Sequence, residues 1–288
     1  MKHRIKNRIS EKAFLLPSFL GVGLFFVVPF IVVFYYSVVE GQLGSRFVFL
    51  ENFKALFENA AFLLAAKNTA VFSAVSVPLA VVLALLLAGL IESKIPGKSV
   101  FRVIFLSPAV VPIASVVLIW QVIFHYNGAL NGVLGWFGIA RIDWFKSEYN
   151  QLIAVALFLW KNLGYNMILF LAAFNNVPKD VLEAADIDGA GPLRKFFKIK
   201  LRYLSPSILF IAILSLINSF KIFREVYLLA GSYPMEGLYM LQHFMNNTFG
   251  SLDYQKLSSA AVVMCIVMAV VIAVMFIIEK RFGKDIEQ

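Results

Sequence analysis

Long apolar runs separated by short polar connectors dominate this chain: Phe14–Val39, Ala70–Ile91, Val103–Phe124, Leu152–Phe174, Ser207–Ala230 and Ser258–Ile278. Each is near the ~20 residues that carry a helix across a ~30 Å hydrocarbon layer. The pattern predicts an all-α, polytopic membrane protein with six transmembrane helices. No hydrophilic stretch is long enough to fold separately, so residues 1–288 read as a single transmembrane domain.

Composition agrees. Hydrophobic residues make up 60% of the 288 and charged residues 15%, an apolar excess beyond what a soluble core of this length needs. The net charge of +9 invites a nucleic-acid reading, but the placement of the charges gives a better account. Basic residues crowd Lys2–Lys12, Lys94–Arg102, Lys179–Arg202 and Lys280–Lys284, whereas the opposite connectors hold only Arg46, Lys54, Arg141, Lys146 and Lys256, with Lys67 at the mouth of the second span. The positive-inside bias then places both termini in the cytoplasm, and no nucleic-acid partner is expected. The basic start followed by an apolar run is built like a signal peptide, but the run is about twice the usual length and reads as an uncleaved first span. Cys265, the single cysteine, lies inside the sixth run, so neither a disulfide framework nor a cysteine metal site is expected.

Chemistry for self-powered transport is missing. Gly97-Lys98-Ser99 resembles the end of a phosphate-binding loop, but Glu92 stands where that loop needs glycine, and the segment joins two spans rather than a strand and a helix. Pro96 and Gly97 fit a tight turn, with Lys98 and Arg102 at lipid headgroups. His3, His125 and His243 are far apart and lack partners at ligand spacing, and no Gly-x-Ser-x-Gly elbow occurs. The chain is expected to be no enzyme and to hold no cofactor or metal. Energy for uphill transport would come from a partner or an ion gradient.

The connector over 178–205 is different. Pro178 suits the first turn of a helix, Asp180 and Glu183 favour its positive end, and Gly189 supplies a stop. Ala184 and Ala185 are small enough to let a partner backbone approach, and Glu183 can offer a carboxylate to a partner arginine. A second helix should start at Pro192, with Leu193, Phe196, Phe197, Leu201 and Leu204 at helical spacing and Arg194, Lys195, Lys198 and Arg202 on much of the rest. That pattern fits an amphipathic helix along the inner membrane face.

Glu183-Ala184-Ala185, three residues, Gly189, nine residues and Ile199-Lys200-Leu201 together resemble the ATPase-docking signature of membrane subunits in binding-protein-dependent ABC importers. Asp188-Gly189-Ala190 also fits; Arg202 departs from the proline usual after the leucine. Asn68-Thr69, Phe105-Leu106-Ser107-Pro108 with Pro112, Trp160-Lys161 and Phe220-Lys221 extend the likeness to the carbohydrate-uptake branch, the maltose and glycerol-phosphate type. The resemblance implies the type I importer permease fold, with Glu183, Ala184, Ala185, Asp188, Gly189 and Ala190 coupling the spans to a cytoplasmic ATPase that binds ATP and Mg. It also implies a second related permease, two ATPase subunits, an extracytoplasmic solute-binding protein and a carbohydrate substrate.

Polar residues interrupt two spans. Trp160, Lys161, Asn162, Tyr165 and Asn166 lie in the fourth, and Asn218, Lys221, Arg224 and Glu225 in the fifth. A charge at the membrane centre costs about 2.5–3.5 kcal/mol on insertion scales, so such residues face a cavity, a partner or the bundle interior. Asn218, Lys221 and Glu225 share roughly a 60° arc of one helix face. They fit a hydrated solute path, with Trp160, Tyr165 and Asn166 as sugar-contacting candidates. Lys221 and Glu225, four residues apart, also fit simple mutual neutralisation, with Arg224 snorkelling toward the outer surface. The main rival to an importer subunit is an ion-coupled carrier using Lys161, Lys221 and Glu225. The aromatic- and turn-rich connectors over 126–144 and 231–237 fit a binding-protein platform or ordinary loops.

Overall fold

A computed structural model describes residues 15–41, 46–92 and 97–283. Phe14, the basic residues from Lys2 to Lys12, Lys94, Pro96 and Lys284 lie outside them. Contacts gather the described residues into two units, one drawn from Met1–Phe62 and Met245–Met268, the other from Leu63–Phe244 and Ala269–Gln288. Among the described residues, stretches long and apolar enough to cross a membrane number six: Leu15–Ser37, Ala60–Glu92, Ile113–Trp136, Asn150–Phe174, Ser205–Ala230 and Tyr254–Arg281. The fold is all-α and polytopic, apart, among the described residues, from one short antiparallel pair, Val39–Glu40 with Arg46–Phe47.

The third apolar run is not one helix. Helix α1 (Lys98–Val110) and helix α2 (Ile113–Phe124) are separated by Val111 and Pro112, both in extended backbone. Proline lacks the N–H that would continue the ladder and pushes the residue before it out of the helical region, so a helix running unbroken over 103–124 does not form. By contrast, Pro78 sits inside the 33-residue helix α3 (Ala60–Glu92) without ending it.

In the first unit, the Asn52 amide donates to the carbonyls of Ser37 (3.1 Å) and Val39 (2.9 Å), tying a short helix to the end of the first span. Gln255 donates to the Gly41 carbonyl at 2.6 Å, and the rings of Tyr36 and Tyr254 lean together at 6.5 Å. Leu56 and Phe62 are fully buried there.

The second unit holds two apolar clusters. One joins Phe72, Trp120, Leu157, Phe158, Val226 and Met240; the other joins Ala84, Ala88, Met167, Phe170, Phe174, Leu204 and Ile211. Helix α4 (Asn150–Phe174) and the fifth span, α5 (Ser205–Lys221) continued by α6 (Phe223–Ala230), contribute to both. Between the clusters those helices carry the polar residues. The layer follows from sequence: α4 switches from Phe158 to Met167 through Lys161, Asn162 and Asn166, and α5 from Ile211 towards Ile222 through Ser215, Asn218 and Ser219.

Close approach of α4 and α1 depends on Gly164. A Cβ there would overlap the Phe105 carbonyl, so the two backbones touch where only glycine fits.

Candidate functional site

The polar layer is internally bonded. The buried Asn166 amide donates to Ser215 Oγ at 2.8 Å, and Asn218 Nδ2 donates to Asn162 Oδ1 at 3.1 Å. Ser73 and Ser219 share a hydroxyl contact at 2.9 Å. Lys161 Nζ meets Glu225 Oε1, a charged pair in which the carboxylate residue is only 2% exposed. Glu225 Oε2 and Asn166 Oδ1 are buried without a hydrogen-bond partner. The neutralisation considered for Lys221 and Glu225 is thus not the one formed. Helix α5 ends at Lys221 and the chain turns at Ile222 before α6 begins, so Glu225 reaches the neighbouring α4 instead.

An open cavity of about 380 Å³ borders this layer. Lys161, Tyr165, Asn218, Lys221 and Glu225 line it, joined by Asn162 and Arg224 and by apolar Ala109, Ile113, Phe158, Leu214 and Ile222. Trp160 and Asn166 stand outside: Trp160 leans on Trp120 at 6.0 Å, and Asn166 points to Ser215. One residue step separates these orientations, because Lys161 and Tyr165 are four residues apart on one face whereas Asn166 is 100° further round. Arg224 was legible as an interruption of the span, but nothing local marks it as a wall residue.

The connector forms a compact helical pair. Helix α7 (Lys179–Ile187) starts after Pro178, which serves as its N-cap in extended backbone rather than as its first turn. At the other end Gly189 has φ 72°, and the Ala190 N–H bonds the Ala185 carbonyl at 2.9 Å, closing the helix by a left-handed turn that glycine adopts without strain. Asp188 is the C-cap, and Ala190 is half-buried. Asp180, Glu183, Ala184 and Ile187 share one outward face within about 100°, and Ile187 is 88% exposed. Ala185 lies on the inward face and is buried. Ile187 is the residue that a reading of the acidic and alanine positions passes over.

The following helical run over 192–203 begins with Pro192 at its first position and contains a π turn at Phe196–Lys200. Lys195 pairs with Asp186, holding this run to α7. Lys200 Nζ contacts both carboxylate oxygens of Glu92 at 2.7 Å and lies 5.4 Å from the centre of the Phe174 ring. The connector is thereby anchored to the ends of α3 and α4 while α7 presents its outward face.

Other connectors are pinned by buried amides. Asn68 donates to the carbonyls of Glu236 and Tyr239, Gln151 donates to Gly237 at 3.0 Å, and the Thr69 hydroxyl accepts the Leu241 N–H at 2.8 Å. Asn131, almost fully buried, donates to the carbonyls of Tyr126 and Ile142 and accepts from the Ile142 N–H and the Trp144 indole. His243 accepts the Met240 N–H on Nδ1, and burial lowers its pKa from 6.5 to about 4, so the ring is neutral.

Such an arrangement, a helical membrane bundle with a polar cavity and an exposed connector helix, defines a multi-pass transport subunit. Residues 76–288 match the family described as binding-protein-dependent transport system inner membrane component, and the chain belongs to that family. It is 31% identical over 265 residues to the sulfoquinovosyl glycerol transport system permease protein SmoG of Agrobacterium fabrum, covering 90% of this chain and 86% of that one. The sn-glycerol-3-phosphate transport system permease protein UgpA of Yersinia enterocolitica is 30% identical, with 93% and 91% covered, and the probable ABC transporter permease protein YesP of Bacillus subtilis 28% identical, with 94% and 90% covered. The fold superposes on a chain of a bacterial ABC transporter that imports the acidic polysaccharide alginate, with a TM-score of 0.83 and 22% identity over 97% of this chain and 98% of the other.

Proposed function

We propose that this chain is one of two pore-forming subunits of an ATP-driven importer for a sugar or oligosaccharide. A second related permease completes the pathway, an extracytoplasmic binding protein delivers the solute, and two cytoplasmic ATPase subunits supply the energy. Both termini lie in the cytoplasm, on the side of α7. Relatives named for sulfoquinovosyl glycerol and glycerol-3-phosphate transport support the carbohydrate class. The connectors pinned by Asn68, Gln151 and Asn131 give the binding protein a rigid seat on the opposite side.

The observation that carries the coupling assignment is Ile187, 88% exposed on a helix anchored behind by Lys195–Asp186 and Lys200–Glu92. Together with the exposed Glu183 and Ala184 on the same face, this apolar side chain supports a partner-contacting surface. ATPase closure would push on Glu183, Ala184 and Ile187, and the anchors would pass the motion to α3 and the fifth span. Asp188, Gly189 and Ala190 hold the end of the lever, and Ala185 seats it.

Glu183→Lys should abolish ATP-dependent uptake and ATPase co-purification while leaving membrane insertion unchanged. Wild-type uptake by this variant would overturn the coupling assignment. The Lys161–Glu225 pair is the feature an ion-coupled carrier would use. Uptake that collapses with an ionophore but persists without ATP would favour that reading.

A further inference from the structure

The cavity wall carries an unbalanced charge, and we infer that the solute it admits is an anionic hydroxylated molecule, a saccharide or polyol bearing a carboxylate, phosphate or sulfonate. This inference rests on reading the cavity as the solute path. Its wall residues with charge-bearing side chains are Lys161, Lys221, Arg224 and Glu225, three basic groups against one carboxyl. Glu225 is already engaged by Lys161. Among the described residues, neither Lys221 nor Arg224 makes an ion pair, and both are exposed.

Two uncompensated cations inside a span are disfavoured by insertion, and a neutral sugar offers them hydrogen-bond acceptors but no opposite charge. An anion supplies that charge, and apolar walls such as Ile113, Leu214 and Ile222 focus the field of the cations into the cavity. A phosphate, carboxylate or sulfonate would take charge-assisted hydrogen bonds from the Arg224 fork and the Lys221 ammonium. The remaining wall chemistry fits the rest of such a molecule. The exposed Tyr165 ring offers a flat apolar face to sugar C–H groups.

The wall potential can be measured without knowing the substrate. In the assembled importer carrying Cys265→Ser, a single cysteine is placed on the wall by Ala109→Cys or, separately, Leu214→Cys. Its rates with the anionic sulfonatoethyl and cationic trimethylammonioethyl methanethiosulfonates are compared in phosphatidylcholine vesicles, where no anionic lipid can neutralise the wall. The anionic reagent should be favoured about tenfold over its advantage at a free thiol. Lys221→Gln with Arg224→Gln should erase that preference. A rate ratio at or below the free-thiol value, at both positions, overturns the inference, as would ATP-driven uptake of a neutral saccharide that the double variant leaves unchanged. Those outcomes leave the importer reading intact. Loss of all ATP dependence in the parent assembly removes that reading and leaves the measured anion preference standing.

Discussion

The connector helix and the cavity wall are both polar departures in an apolar chain, built by opposite rules. In the connector, every contact that shapes α7 is local: Pro178 opens it, Gly189 closes it, and Asp186 meets Lys195 nine residues on. Its outward face is exposed among the described residues. In the polar layer, the bonded pairs join different helices, 49 positions apart for Asn166 and Ser215 and 64 for Lys161 and Glu225. An exposed local helix can be specified by a short motif, whereas a surface made by packing cannot. Substitutions on the outward face of α7 should therefore change coupling with little change in stability, and substitutions in the polar layer should change both.

The strongest attack on the packed region is Gly164→Ala. The added methyl overlaps the Phe105 carbonyl, which belongs to rigid helical backbone, so α4 and α1 must separate at a cost of about 3 kcal/mol or more. Thermal unfolding of the purified complex should drop sharply, and an unchanged midpoint would mean that the helices do not approach so closely. Next is Glu225→Ala, which strands Lys161 in the cavity and should cost about 3 kcal/mol. Combining it with Lys161→Met should recover much of that loss. Additive effects in the double variant would show that the two side chains do not interact.

His243 gives a smaller, pH-dependent effect. Its folded pKa, about 4, lies below the ordinary 6.5, so the unfolded chain binds the proton more readily and stability falls as pH drops from 6.5 towards 4. The loss should reach roughly 1–3 kcal/mol, and His243→Gln should flatten that part of the pH profile. The smallest effect belongs to the connector anchor. Lys200→Ala removes a partly exposed pair with Glu92 and should cost about 0.5–1 kcal/mol, less at high salt. Its influence on uptake should exceed its influence on unfolding; the reverse order would make the pair a structural tie alone.

Much of this was legible in one dimension. Membrane spans announce themselves because lipid demands apolar length, and the basic connectors follow because charge avoids lipid. The connector helix is readable because helix starts, stops and faces depend on residues within a turn or two. Val111-Pro112 carried its own signal too, since the proline restraint is local, yet an apolar run across it masks the break. The pairings were not legible. Spacing alone offered Lys221 as the partner of Glu225, while the turn at Ile222 and the approach of α4 give Glu225 to Lys161. The separation of Tyr165, on the cavity, from Asn166, buried against Ser215, was likewise decided by how α4 is rotated in its packing. Sequence determined which segments are apolar spans and which connector folds as a capped helix, because those depend on solvent and on neighbours along the chain. Tertiary structure decided which charges remain unpaired, because that depends on helix rotation and on the single glycine contact that sets how closely two helices meet.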